Sequence, residues 1–155
     1  KVASFAFIAT LFIGVFSFLI GYLIVPTAHY QHAIKLYEKG SFREAVIYYE
    51  YLGDFGDSKN QIQVVKATED FFVGDYASGI EHIFNINGTV NVVFNSNGGL
   101  SPIESMTLIS NDVDIIPEKE HHSFIQWDLE YVQIMNNHKD TYIANLILKA
   151  LWEEQ

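Results

Sequence analysis

From Val2 to Val25 the chain reads VASFAFIATLFIGVFSFLIGYLIV, 24 residues without a single charge. As a helix rising about 1.5 Å per residue, this stretch would be about 36 Å long. That is enough to cross a hydrocarbon core of about 30 Å with some tilt. A secretory signal peptide has an apolar core of only about 7 to 15 residues, and no small-x-small cleavage site stands near Pro26-Thr27-Ala28. Residues 1–27 are therefore read as an uncleaved transmembrane helix. Its small residues Ala3, Ala6, Thr10, Gly14, Ser17 and Gly21 recur three or four positions apart and share one stripe, while the phenylalanines fall largely elsewhere. Small side chains let two backbones approach closely in lipid. Ala6, Thr10, Gly14, Ser17 and Gly21 are thus the candidate packing face for an integral membrane partner. The plainer alternative is that Gly, Ala and Ser are simply common in membrane helices.

Residues 28–88 change character. In HYQHAIKLYEKGSFREAVIYYEYLGDFGDS the apolar positions Ala33, Leu36, Tyr37, Phe42, Ala45, Val46, Tyr49 and Leu52 have helical spacing, interrupted at Gly40. This predicts two antiparallel helices joined at Gly40-Ser41, with Ser41 as the candidate cap of the second. The pattern returns in QVVKATEDFFVGDYASGIEHIFNING: Ala33, Tyr37, Gly40, Phe42 and Ala45 are answered by Ala67, Phe71, Gly74, Tyr76 and Gly79, each 34 positions on. The segment resembles two degenerate tetratricopeptide repeats, whose period and small-residue positions it shares. It departs from them at Gly79, where Ala is usual, and at Asp70, in an otherwise apolar slot. Two such repeats bury a thin core, so the pair is expected to lean on something else. Tyr37, Phe42, Tyr48, Tyr49 and Tyr51 read mainly as repeat core. Tyr48, on the less buried side of its helix, is the candidate protein-interaction residue.

From residue 89 to 155 the periodicity falls to two. TVNVVFNSNGG, ESMTLIS, HSFIQWDL and ANLILKALW alternate apolar and polar residues and are rich in Val, Ile, Thr and aromatics. Short half-buried strands follow. The glycine pair at Gly98-Gly99 has neither phosphate-loop spacing nor a helix behind it, so it is read as a reversing turn rather than a ligand cradle. The order of Val92-Val93-Phe94-Asn95-Ser96-Asn97-Gly98-Gly99, Met106 to Ile109, Ile115-Ile116-Pro117, Ser123-Phe124-Ile125-Gln126-Trp127 and Leu146 to Trp152 resembles the internalin B-repeat, also called the Listeria-Bacteroides repeat. His121-His122 stand where that family has Gly-Tyr, and Gln126 replaces the Gly before the first Trp. The resemblance implies a small β-grasp-like domain displayed outside bacterial cells and used for spacing, adhesion or contact with other proteins. It carries no catalytic residues, and it makes Phe94, Phe124, Trp127, Leu148 and Trp152 core.

The rest of the composition mostly excludes. Acids outnumber bases 9 to 5 between Ala28 and Gly88 and 10 to 3 beyond, so no nucleic-acid partner is expected. With no cysteine, thiolate catalysis and cysteine-rich zinc sites are ruled out. His29 and His32, the adjacent His121-His122, and the isolated His82 and His138 do not make a zinc pattern, and no metal or cofactor is expected. His29 and His32 instead suit the interfacial zone near Tyr22 and Tyr30. Asp112 with Asp114 and Glu118 with Glu120 read as solvated face, and no serine-hydrolase motif accompanies the serines.

The chain begins at Lys1 rather than Met, which is taken to place the native N-terminus upstream. Charge bias cannot then orient the helix; the resemblance of the C-terminal part puts that part outside the bacterial plasma membrane. The expected architecture is α+β and membrane-anchored: a transmembrane helix, two tetratricopeptide-like hairpins and a small β-grasp-like domain. The expected role is non-enzymatic, an accessory or scaffold subunit of a membrane complex in contact with lipid. The alternative is a tethered adhesin or ligand-binding module that meets an envelope protein or glycan. A histidine-dependent metal hydrolase is the enzyme-class competitor, to be tested by elemental analysis for zinc.

Overall fold

The structure is a computed structural model that describes residues 2–100, 105–108, 122–137 and 141–154, with side chains from Thr10 onward. The fold is mixed α+β. Helix α1 (Val2–Leu19), a π-helical turn (Ile20–Ile24) and α2 (Val25–Glu38) follow one another without a break. Pro26 ought to disturb such a helix, since its ring crowds the carbonyl four residues back and it has no N–H to donate. The widened turn just before it absorbs the conflict, as such bulges do where the hydrogen-bond ladder is interrupted. Thr27 Oγ1 donates to the Leu23 carbonyl at 2.6 Å, satisfying another acceptor there.

The chain divides into two compact units, Lys1–Ile62 and Gln63–Gln155. In the first, α3 (Phe42–Leu52) packs back along α2, burying Ala33, Ala45, Tyr49 and Leu52. Ring contacts fix the direction: Tyr37 meets Phe42 at one end (6.0 Å between centroids), and Tyr30 meets Tyr49 at the other (5.5 Å).

Helices α4 (Ser58–Val73) and α5 (Tyr76–Phe84) form the second helix pair. The turn between α2 and α3 is reproduced in it bond for bond, 34 residues later. Gly40 N and Ser41 N donate to Tyr37 O and Leu36 O; Gly74 N and Asp75 N donate to Phe71 O and Asp70 O. Gly40 and Gly74 both hold the left-handed conformation, φ 77° and 83°, which costs glycine little. Ala33 and Ala67 are both fully buried. Capping differs between the two turns. Ser41 stands at the start of α3 but makes no side-chain cap, whereas Asp75 accepts from Ser78 N at 3.2 Å and Ser78 Oγ at 2.8 Å.

The second unit also holds a four-stranded sheet of β1 (Thr89–Asn95), β2 (Ser105–Leu108), β3 (His122–Asn136) and β4 (Tyr142–Glu154), in the order β2-β1-β4-β3. Central β1 and β4 run parallel, Val92 opposite Leu146, while the outer pairings are antiparallel. Strand β4 alternates buried and half-buried residues along most of its length, as a central strand covered on one face should. Ala67, Phe71, Ile80 and Ile83 from the helices join Val90, Val92, Phe94, Trp127, Leu146 and Leu148 from the sheet in one core, so the second helix pair does lean on the strands. Phe124 and Trp152 pack against this core from its rim.

Beyond β1, Asn97 and Gly98 both have positive φ (49° and 86°) and Gly99 N donates to Ser96 O at 3.0 Å. That is the signature of a tight reversing turn. Trp152 Nε1 donates to Ser96 O at 3.0 Å, tying the turn to the end of β4.

Candidate functional site

Two surfaces in the first unit present side chains with no evident structural task. Every residue from Thr10 to Val25 is exposed, with Phe12 and Tyr22 each at 71%. Soluble proteins rarely show a continuous apolar surface of this extent. By length and composition this helix could cross a membrane. Of the proposed packing face, Ala6 lies on α1 where side chains are not described, while Thr10, Gly14, Ser17 and Gly21 follow one another along the exposed helix. A methyl group added at Gly14 or Gly21 would meet nothing within 4 Å, so both leave the backbone open to approach.

The second surface begins one turn beyond Val25. His29 lies 5.7 Å from the Tyr48 ring and 5.4 Å from Tyr51, and His32 lies 4.7 Å from Tyr48. His29, Ile47, Tyr48 and Tyr51 line a shallow hollow of about 300 Å³. Tyr48 is half-buried in this cluster; the exposed aromatic is Tyr51, at 74%, not the repeat-core residue its spacing suggests. A signal for it exists. Ala45, Tyr49 and Leu52 form the stripe that faces α2, while Ile47, Tyr48 and Tyr51, spaced i, i+1, i+4, form a second apolar stripe on an adjoining flank.

Neighbouring tyrosines are structural. Burial raises the Tyr49 hydroxyl pKa well above its ordinary value, with Tyr30 the next cause, and burial likewise raises that of Tyr30, with Asp57 adding. Neither suits proton transfer near neutrality.

No family model, curated protein or solved structure matches the chain. Function must therefore be argued from its own surfaces.

In the second unit, a hollow of about 480 Å³ lies between the α4–α5 turn and β3, lined among others by Phe72, Val73, Tyr76, Phe124, Trp127 and Asp128. Tyr76 donates to the Trp127 carbonyl at 3.4 Å across it, and burial raises its hydroxyl pKa. Strand β3 borders the hollow with bulges at Phe124/Gln126 and Leu129/Tyr131. Among the described residues the far edge of β3 pairs with no strand.

His82 stands in the second unit, apart in the chain from the His29–His32 pair. His82 faces Gln63 Oε1 with Nδ1 (2.7 Å) and Asp70 Oδ2 with Nε2 (3.4 Å), bracing α5 on α4. This gives Asp70 its reason for standing in an apolar slot. His121, His138, Ile115, Ile116, Pro117 and the carboxylates Asp112, Asp114, Glu118 and Glu120 lie outside the described residues. Among the described residues no three of His, Asp and Glu converge on one point.

Proposed function

We propose that the protein is a non-enzymatic, single-pass membrane protein of the bacterial cell envelope, with its N-terminus inside. In this reading it acts as an accessory or scaffold subunit, held to an integral membrane partner by its helix and to other envelope components by its outer parts. One observation carries the reading: an apolar helix, exposed from Thr10 to Val25, continues unbroken into a folded helix pair. A flexible tether would need no such stiffness, whereas a subunit that must hold its first helix pair at a fixed attitude to a membrane partner does.

The 34-residue recurrence of turn hydrogen bonds supports treating the helix pairs as tetratricopeptide-like. A β2-β1-β4-β3 order with parallel central strands supports a β-grasp-like domain. The packing face is tested with the double change Gly14→Leu and Gly21→Leu. Purified in mild detergent from native membranes, the variant is expected to lose its stoichiometric integral-membrane partner while keeping its circular dichroism spectrum. Retention of every partner would refute that face.

The hollow beside β3 favours a second reading, a tethered adhesin or ligand-binding module for an envelope protein or glycan. There the outer residues 63–155 alone would be retained on peptidoglycan or host glycan, and the leucine changes would leave binding untouched.

A further inference from the structure

The second apolar stripe of α3 has a position as well as a composition. Because α3 runs antiparallel to α2, its C-terminal end returns to the level of His29 and Tyr30, where Tyr51 meets His29 and Tyr49 meets Tyr30. That level is four or five residues past Val25, a rise of about 6 to 8 Å. The polar layer on each side of a bilayer is about 5 to 8 Å thick. A stiff helix therefore carries Tyr51 to the depth where tyrosine and histidine rings, apolar in body and polar at the tip, are most at home.

The charge pattern agrees. After Lys1 the first full charge on the helix is Lys35, so residues 26–34 form an uncharged shelf, and Ile47, at 62%, and Tyr51, at 74%, stay exposed beside it. The ionic groups near this end of α3 include Glu50, Asp54, Asp57 and Lys59, with Asp54 and Lys59 bridged at 2.5 Å. An acidic balance of that kind fits a zwitterionic lipid surface better than an anionic one.

We propose that the outer stripe of α3, Tyr51 with Ile47 and Tyr48, together with His29, is a lipid-contact surface, and that Tyr51 lies in the headgroup layer of the same bilayer the apolar helix crosses. The inference rests on the membrane-spanning reading above. It makes the first helix pair a foot planted on the membrane beside the apolar helix.

The chain's lack of cysteine makes the test direct. Single variants Phe16→Cys, Tyr51→Cys and Lys39→Cys, all at sites away from the buried core, are spin-labelled and placed in palmitoyl-oleoyl phosphatidylcholine vesicles. Collision with oxygen and with a water-soluble nickel chelate then reports depth. The label at 16 is expected to favour oxygen strongly, and the label at 39 the chelate. At 51 the chelate should be several-fold less effective than at 39, with oxygen between the two references. Chelate access at 51 equal to that at 39 would overturn the lipid contact while leaving the span intact. Shielding from both reagents would overturn it too, pointing to protein on that face. A label at 16 that prefers the chelate would remove the membrane reading itself, and this proposal with it.

Discussion

At the scale of single residues, the second helix pair shows how a departure from a repeat pattern can be a fit rather than a flaw. Gly79 occupies the place that Ala45 holds in the first pair, and a methyl group there would lie 2.5 Å from Phe71 Cε1 and 2.6 Å from Cδ1. Phe71 is fully buried, so its ring has nowhere to swing. Helix propensity alone favours Ala over Gly by about 0.5–1 kcal/mol. Overpacking a filled core costs roughly 1–3 kcal/mol, and the steric term should win. Gly79→Ala is accordingly expected to lower the denaturation midpoint of the purified protein; a gain in stability would mean that the ring yields. Asp70 follows the same logic. Burial, partly opposed by His82, raises its carboxyl pKa, and the contact with the His82 ring on α5 gives the group its place there. From sequence, Asp70 and Gly79 could only be marked as irregular, because what accommodates them lies on the neighbouring helix.

Single elements were legible to the degree that their signals are local. The apolar span, the helix pairs and the four strands all appear where periodicity puts them, because each signal repeats within a few residues. Continuity across Pro26 was not legible. Proline and a change of hydropathy both argue for a boundary, and only the π-helical turn shows how the helix passes it. Strand β3 runs to Asn136, well past the expected Leu129, because the polar residues of this outer strand blur the alternation. The cap of α5 was missed as well, although Asp75 stands where Ser41 does one period earlier. Ser78, through its side chain first and its backbone second, holds the Asp75 carboxyl pKa below its ordinary value. The ionised form is thus favoured by folding. Its contribution is fully present above the ordinary value of 3.8 and is lost as pH falls through the lower folded value. Asp75→Ala should therefore melt below the parent at neutral pH, and the gap should close in acid, as followed by helical circular dichroism across a pH series. A gap independent of pH would place the loss elsewhere.

For the whole molecule, the proposed membrane placement turns on which side of a bilayer the acidic parts would lie. With the N-terminus inside, protease added to intact cells should degrade the region after Val25, while sealed inside-out vesicles protect it. The reverse pattern would invert the placement and remove the envelope role. The sequence by itself determined the elements: an apolar run of spanning length, a 34-residue helical period and a set of alternating strands, each written in neighbouring residues. Tertiary structure decided what those elements do together. It set β1 parallel to β4, gave the second helix pair and the sheet one core, and returned the end of α3 to the base of α2. Such pairings join residues far apart in the chain, where the geometry of closure and packing, not local preference, selects the partner.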